Sequence, residues 1–113
     1  MKFSDLRQAN ITRQKEWPGN DQADIAFRGL EVAGEFGEVA ESLKKYLRGQ
    51  RGIKGSTATL EDVASEMADS IIALDLLADL MGIDLGEAVA RKFNATSEKY
   101  GLKTRLSDDG RPI

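Results

Sequence analysis

At 113 residues, with 16 basic and 19 acidic side chains and a net charge of −3, the chain is sized for one domain and has no general attraction for nucleic acid or an anionic membrane. It contains no cysteine and no histidine, which excludes disulfides, thiolate or imidazole zinc sites, Cys–His and Ser–His nucleophiles and the Glu-x-x-His di-iron pattern. Few aromatics and prolines among many Ala, Leu, Glu and Lys residues point to an all-α protein whose chemistry must come from oxygen ligands.

The first ten residues, MKFSDLRQAN, have no apolar signal region, and no run approaches the roughly 18 apolar residues of a membrane span. With the absence of cysteine, this reads as a cytoplasmic protein without a membrane partner. Residues 1–113 read as a single domain, small enough that association with a second copy would help it bury surface.

In chain order, Ser4 is the expected N-cap of a first helix, which stops near Trp17-Pro18-Gly19. Trp17, the only tryptophan, serves there either as a core anchor or as a flat surface on which a base stacks. Asn20 or Asp21 is then placed to cap a long second helix running to about Arg48. Its Glu31, Glu35 and Glu38 fall within an arc of roughly 60° at about 100° per residue, and Glu41 follows. Ala33, Phe36, Ala40, Leu43 and Leu47 keep to another side, so an exposed acidic face is permitted.

Residues 49–56, GQRGIKGS, form a glycine-rich connector carrying Arg51 and Lys54 just after Lys44, Lys45 and Arg48. The G-x-x-x-x-G-K-[ST] phosphate-loop pattern is missing. The connector is either a solvated basic loop or a positive patch for the phosphates of a polyanionic substrate.

Thr59 and Asp62 form the capping box of a third helix that ends at Met81-Gly82. Asp62, Glu66 and Asp69 repeat the spacing of Glu31, Glu35 and Glu38. Their arc continues into Ala73, Leu77 and Leu80, spaced as a bundle seam, which predicts carboxylates at the edge of a dry interface. Burying several unpaired anions costs several kcal/mol each unless a cation compensates. Asp84 and Glu87 form a second capping box, opening a fourth helix that runs to about Tyr100 and stops at Gly101. The polar tail from about residue 101 is either a frayed end or a flap.

Four to six carboxylates converging from two helices suit a hard divalent cation, Mg²⁺ or Mn²⁺. Such a site handles phosphate esters, with a spare carboxylate orienting or deprotonating water. Ordinary solvated helix faces are the competing explanation for either stripe alone.

The residues resemble the MazG-like, all-α nucleoside triphosphate pyrophosphohydrolases. That family's E-x-x-E and E-x-x-D motifs appear as Glu35-Phe36-Gly37-Glu38 and Glu66-Met67-Ala68-Asp69, followed by Lys92-Phe93-Asn94 and Lys99-Tyr100-Gly101. The resemblance implies a four-to-five-helix architecture, a helical bundle completed by dimerisation as a homodimer or a dimer of dimers. It also implies Mg²⁺-dependent hydrolysis of a nucleoside or deoxynucleoside triphosphate to the monophosphate and pyrophosphate, a nucleotide-pool housecleaning activity. By the same resemblance Glu35, Glu38, Glu66 and Asp69 hold the metal, and Glu35 or Glu38 also activates water, with Glu31 and Glu41 behind them. Lys92, Asn94, Lys99 and Tyr100 match residues that relatives use to hold phosphates or sugar. Trp17, Arg51 and Lys54 complete the expected substrate contacts. The alternative reading is a non-catalytic helical oligomerisation or regulatory module whose acids bind metal structurally or face a basic partner; net acidity disfavours a nucleic-acid binder.

Overall fold

A computed structural model describes residues 1–107. Four α-helices follow in order, α1 (Phe3–Glu16), α2 (Ile25–Gln50), α3 (Leu60–Leu80) and α4 (Leu85–Lys99), with a single 3₁₀ turn over Asn20–Gln22 between the first two. The described residues contain no β-strand, so the chain is all-α. The last six residues of the expected tail lie outside the described residues.

Local chemistry explains each boundary. Ser4 proves to lie inside α1; the helix starts one residue earlier, and the Asp5 carboxylate accepts from the Lys2 backbone N–H at 2.8 Å. Asn20 and Asp21 do not cap α2 but fall in the 3₁₀ turn, because Gly19 (φ 85°) turns the chain too sharply for the long helix to begin there. The cap is Asp24, whose carboxylate accepts from the Phe27 N–H at 2.9 Å, and α2 continues two residues beyond Arg48 to Gln50. At α3 both halves of the Thr59–Asp62 box form, at 3.1 and 2.8 Å. Beyond its C-cap Met81, Gly82 at φ 67° takes the left-handed conformation that ends helices. At α4 only the forward half of the expected box is present: Asp84 accepts from the Glu87 N–H at 3.0 Å, while Glu87 pairs with Arg91 one turn on.

The long helices α2 and α3 pack against each other as the main unit, and α1 lies on α3. α4 makes its principal contact with α1, where Gly86 lets the helix approach Phe3 so closely that an added Cβ would stand 3.3 Å from that side chain's Cβ. α1 docks through polar groups. Asp75 of α3, 1% exposed, accepts from Arg7 Nε at 3.1 Å, Arg7 Nη2 at 3.0 Å and Asn10 Nδ2 at 3.0 Å. Arg7 Nη2 also donates to the Ile83 carbonyl at 2.7 Å, tying the α3–α4 turn to the same residue.

The apolar core within one chain is small. Val63, Ala73, Ala78 and Ala90 are its fully buried members, whereas Phe36, Leu43, Leu60, Met67 and Ile71 are all more than 40% exposed. Leu80, expected in the dry seam, is 43% exposed. The radius of gyration is 17.1 Å, against about 13 Å for a compact chain of this length. Residues patterned for a bundle interior thus find too few partners inside one chain to become dry.

Candidate metal centre and adjoining cavity

Helices α2 and α3 bring together the central acids of the two stripes. Glu35, Glu38 and Glu66 each offer a carboxylate oxygen within 4.8 Å of the others, Glu35 and Glu66 half-buried and Glu38 exposed. Asp69 is one turn farther along α3 and exposed; with Glu35 it lines a neighbouring cavity of about 320 Å³.

The remaining acids are already occupied. Glu31 accepts from buried Arg28 at 2.6 Å, Glu41 pairs with Lys44 at 2.9 Å, and Asp62 is bound to the Thr59 cap. None of Glu35, Glu38, Glu66 and Asp69 has an ion pair among the described residues. One oxygen each of Glu35 and Glu66, Oε2 in both, is inaccessible and has no hydrogen-bond partner among the described residues. Unpaired buried carboxylate oxygens are costly, so this arrangement calls for a cation or a proton.

The electrostatics agree. Desolvation, then the negative charges of Glu38, Asp69 and Glu31, raise the pKa of Glu35 above the ordinary glutamate value. Glu66 is raised first by its hydrogen bond with Glu38, then by desolvation and the charges of Glu38, Asp69 and Glu35. Glu41 is lowered, chiefly by its hydrogen bond with Lys44, and Asp62 is lowered by the Thr59 backbone and hydroxyl. The donor set, all carboxylate oxygen with two unpartnered inner atoms, fits a hard divalent cation such as Mg²⁺ or Mn²⁺.

A pH dependence follows. In the unfolded chain Glu35 and Glu66 ionise near about 4.5, whereas in the fold they keep their protons to higher pH. Their contribution to stability is therefore fully present below about 4.5 and is lost as pH rises through the folded values. The lowered groups Asp62 and Glu41 act in the opposite sense and only below their ordinary values of about 3.8 and 4.5. Metal-free protein is expected to melt at a higher temperature near pH 5 than near pH 7, and stabilisation by Mg²⁺ is expected to grow as pH rises. Calorimetry with and without the ion checks this; a metal-free midpoint that falls on going from pH 7 to 5 would contradict the assignment.

The cavity beside the acids is walled by α1, the 3₁₀ turn, α2 and α3. Trp17 stands at its rim, 59% exposed, so it is no core anchor; Phe27, Ile72 and Leu76 add apolar wall, and Gln14, Asn20 and Arg28 add polar groups. Sequence reading missed Gln14, Arg28 and Asn20 as lining residues, since amides and a lone arginine on helices carry no distinctive spacing.

Other expected contacts are not gathered at this site within one chain. Arg51 and Lys54 belong to the α2–α3 connector, and Arg51 is displaced by roughly 20 Å along α2 from Glu38 at 1.5 Å per residue. It lines a separate apolar cavity with Leu43, Leu47 and Ile53. Lys92 and Asn94 are on α4, Lys99 is its last residue and Tyr100 its C-cap, with Lys92 facing a shallow apolar surface beside Val89 and Phe93. The Asn94 amide holds the returning chain instead: its Nδ2 donates to the Leu106 carbonyl and its Oδ1 accepts from the Leu106 N–H, both at 2.8 Å. The described part of the tail is thereby docked on α4. No helix among the described residues is long and apolar enough to cross a membrane. No family model, curated protein or solved structure matches the chain.

Proposed function

We infer that the chain is a MazG-like, divalent-metal-dependent pyrophosphohydrolase that converts a nucleoside or deoxynucleoside triphosphate to its monophosphate and pyrophosphate. The observation that carries this reading is the cluster of Glu35, Glu38 and Glu66, unpaired with any cation among the described residues, beside a cavity rimmed by Trp17.

Glu35, Glu38, Glu66 and Asp69 are the residues to hold the ion, which supplies positive charge for phosphate oxygens and makes water easier to deprotonate. The exposed Glu38 and, one turn before it on α2, Glu35 are the candidates for orienting water and accepting its proton as it attacks the α-phosphorus. The bond from the α-phosphorus to the bridging oxygen breaks, and pyrophosphate leaves with that oxygen. Trp17, 59% exposed and lining the cavity, offers an aromatic surface for the base.

The uncovered apolar positions on α2 and α3, Phe36 and Leu43 with Leu60, Met67 and Ile71, support self-association as a homodimer or dimer of dimers. A second copy is also the means by which the basic connector or the Lys92 face of α4 would approach the acids, since neither does so within one chain. Those same positions favour the non-catalytic oligomerisation module, in which a structural ion or a basic partner would satisfy the Glu35 and Glu66 oxygens; the cavity rimmed by Trp17 beside those acids is what favours the enzyme.

The test is purified protein with Mg²⁺ and a panel of ribo- and deoxyribonucleoside triphosphates in oxygen-labelled water. Pyrophosphate and labelled monophosphate are expected. Orthophosphate with diphosphate would overturn the bond assignment, and no turnover of any nucleotide would favour the module.

A further inference from the structure

Arg28 is 2% exposed, yet it lies in the cavity wall at the start of α2. Its Nη1 donates to Glu31 Oε1 at 2.6 Å, its Nη2 donates to Gln14 Oε1 at 2.6 Å, and its Nε has no partner. The same Gln14 oxygen accepts from Asn20 Nδ2 at 2.7 Å. A buried cation thus begins a chain of two amides that ends beside Trp17.

The order of donors and acceptors in that chain is forced. A guanidinium has five N–H donors and no acceptor, so Gln14 must turn its carbonyl oxygen toward Arg28 and its NH₂ group away. Because that oxygen faces Asn20 as well, Asn20 must present its own NH₂ to Gln14, which leaves the Asn20 carbonyl oxygen free of this contact. Amide groups without such a neighbour flip at little cost and match either polarity of ligand. Both amides line the cavity, and with Arg28 in place they are held in one sense, the Gln14 NH₂ and the Asn20 carbonyl oxygen lying outside these contacts.

We propose that Arg28 is a positioning residue that sets the hydrogen-bond polarity of a nucleobase subsite formed by Gln14 and Asn20 beside Trp17, and so determines which bases the protein accepts. The inference rests on the nucleotide reading of the site and adds to it a means of discrimination. Cytosine and uracil, or adenine and hypoxanthine, have the same ring shape but opposite donor and acceptor order at adjacent edge atoms. A subsite of fixed polarity separates the two members of such a pair, because the wrong one leaves buried polar groups unmatched.

The test uses binding, so its outcome is independent of hydrolysis. Trp17 is the only tryptophan, and its fluorescence reports occupancy of the cavity. Titration with cytidine, uridine, adenosine and inosine monophosphates is expected to give Kd values differing at least tenfold within one amino/keto pair. In Arg28→Met the ratio is expected to fall to within about threefold, as both amides become free to flip. Gln14→Glu keeps an oxygen for Arg28 and Asn20 while replacing the outward donor by an acceptor, and is expected to shift the ratio at least tenfold toward the other member of the pair. Unchanged ratios in folded Arg28→Met or in Gln14→Glu would overturn the proposal, as would a wild type that binds both members equally or binds none. Failure of the enzymatic reading would show separately, as base-selective binding without turnover in the triphosphate panel.

Discussion

On the proposed function, Glu38→Gln is expected to lower kcat for triphosphate hydrolysis by on the order of 10²–10⁴-fold, the range for loss of a positioned acid–base group, while making the metal-free fold more stable. The two effects share one cause. Glu38 raises the pKa of both Glu35 and Glu66, at Glu66 first by accepting a hydrogen bond from its protonated form and at both by its negative charge, so neutralising it removes repulsion among three carboxylates that have no cationic partner among the described residues. On the proposed function that relief comes at the expense of holding the cation. Glu41→Gln is the matching control, because Glu41 is exposed, paired with Lys44 at 2.9 Å, and outside the cluster. Kinetics and thermal melts of the two variants, with and without Mg²⁺, should show opposite trends at Glu38 and no more than a small change at Glu41. A Glu38→Gln protein that keeps wild-type kcat would remove Glu38 from the site.

The largest stability effect is expected far from the acids, at Arg7. Arg7→Met leaves the Asp75 carboxylate, 1% exposed, with Asn10 Nδ2 as its remaining side-chain donor. Removing one partner of a buried pair typically costs about 3–5 kcal/mol, because the surviving charge stays desolvated and uncompensated. A domain's whole stability is about 5–15 kcal/mol, so the loss is about a fifth of it or more. Arg7→Met with Asp75→Leu should recover most of the loss, since an apolar pair in the same volume removes the stranded charge. Urea denaturation of the wild type, the two single variants and the double variant measures the coupling. A change of under about 1 kcal/mol in Arg7→Met would mean that the pair is effectively solvated. The cost extends to the cavity, because this network joins α1 to α3 and α1 carries Gln14 and leads to Trp17 at the cavity rim.

Much of this was legible before any coordinates. The Thr59–Asp62 box, Asp84 before α4 and the glycines after α3 and α4 are signals with local mechanisms, and the helices end where those signals put them. The first two starts differ from expectation for separate reasons: Asp5, the third residue of α1, accepts from the Lys2 N–H and so draws the start ahead of Ser4, while Asp24 takes the capping role at α2 in place of Asn20 or Asp21. The sorting of the acids was partly legible as well. Arg28 with Glu31, Glu41 with Lys44 and Thr59 with Asp62 are each three residues apart, so helix period and capping alone could have marked Glu31, Glu41 and Asp62 as already occupied.

By itself, then, the sequence determined an all-helical chain and two acidic stripes of equal spacing, because caps and periodicity act over a single turn. Tertiary structure decided which acids meet, that Trp17 stands at a cavity rim instead of in the core, and that α1 is pinned by Arg7 and Asn10 to Asp75. It also separated the connector arginine from the acids and gave Gln14 to Arg28. The reason is physical: these contacts join residues on different helices, and where two helices cross depends on how their surfaces pack, which no single helix's spacing contains.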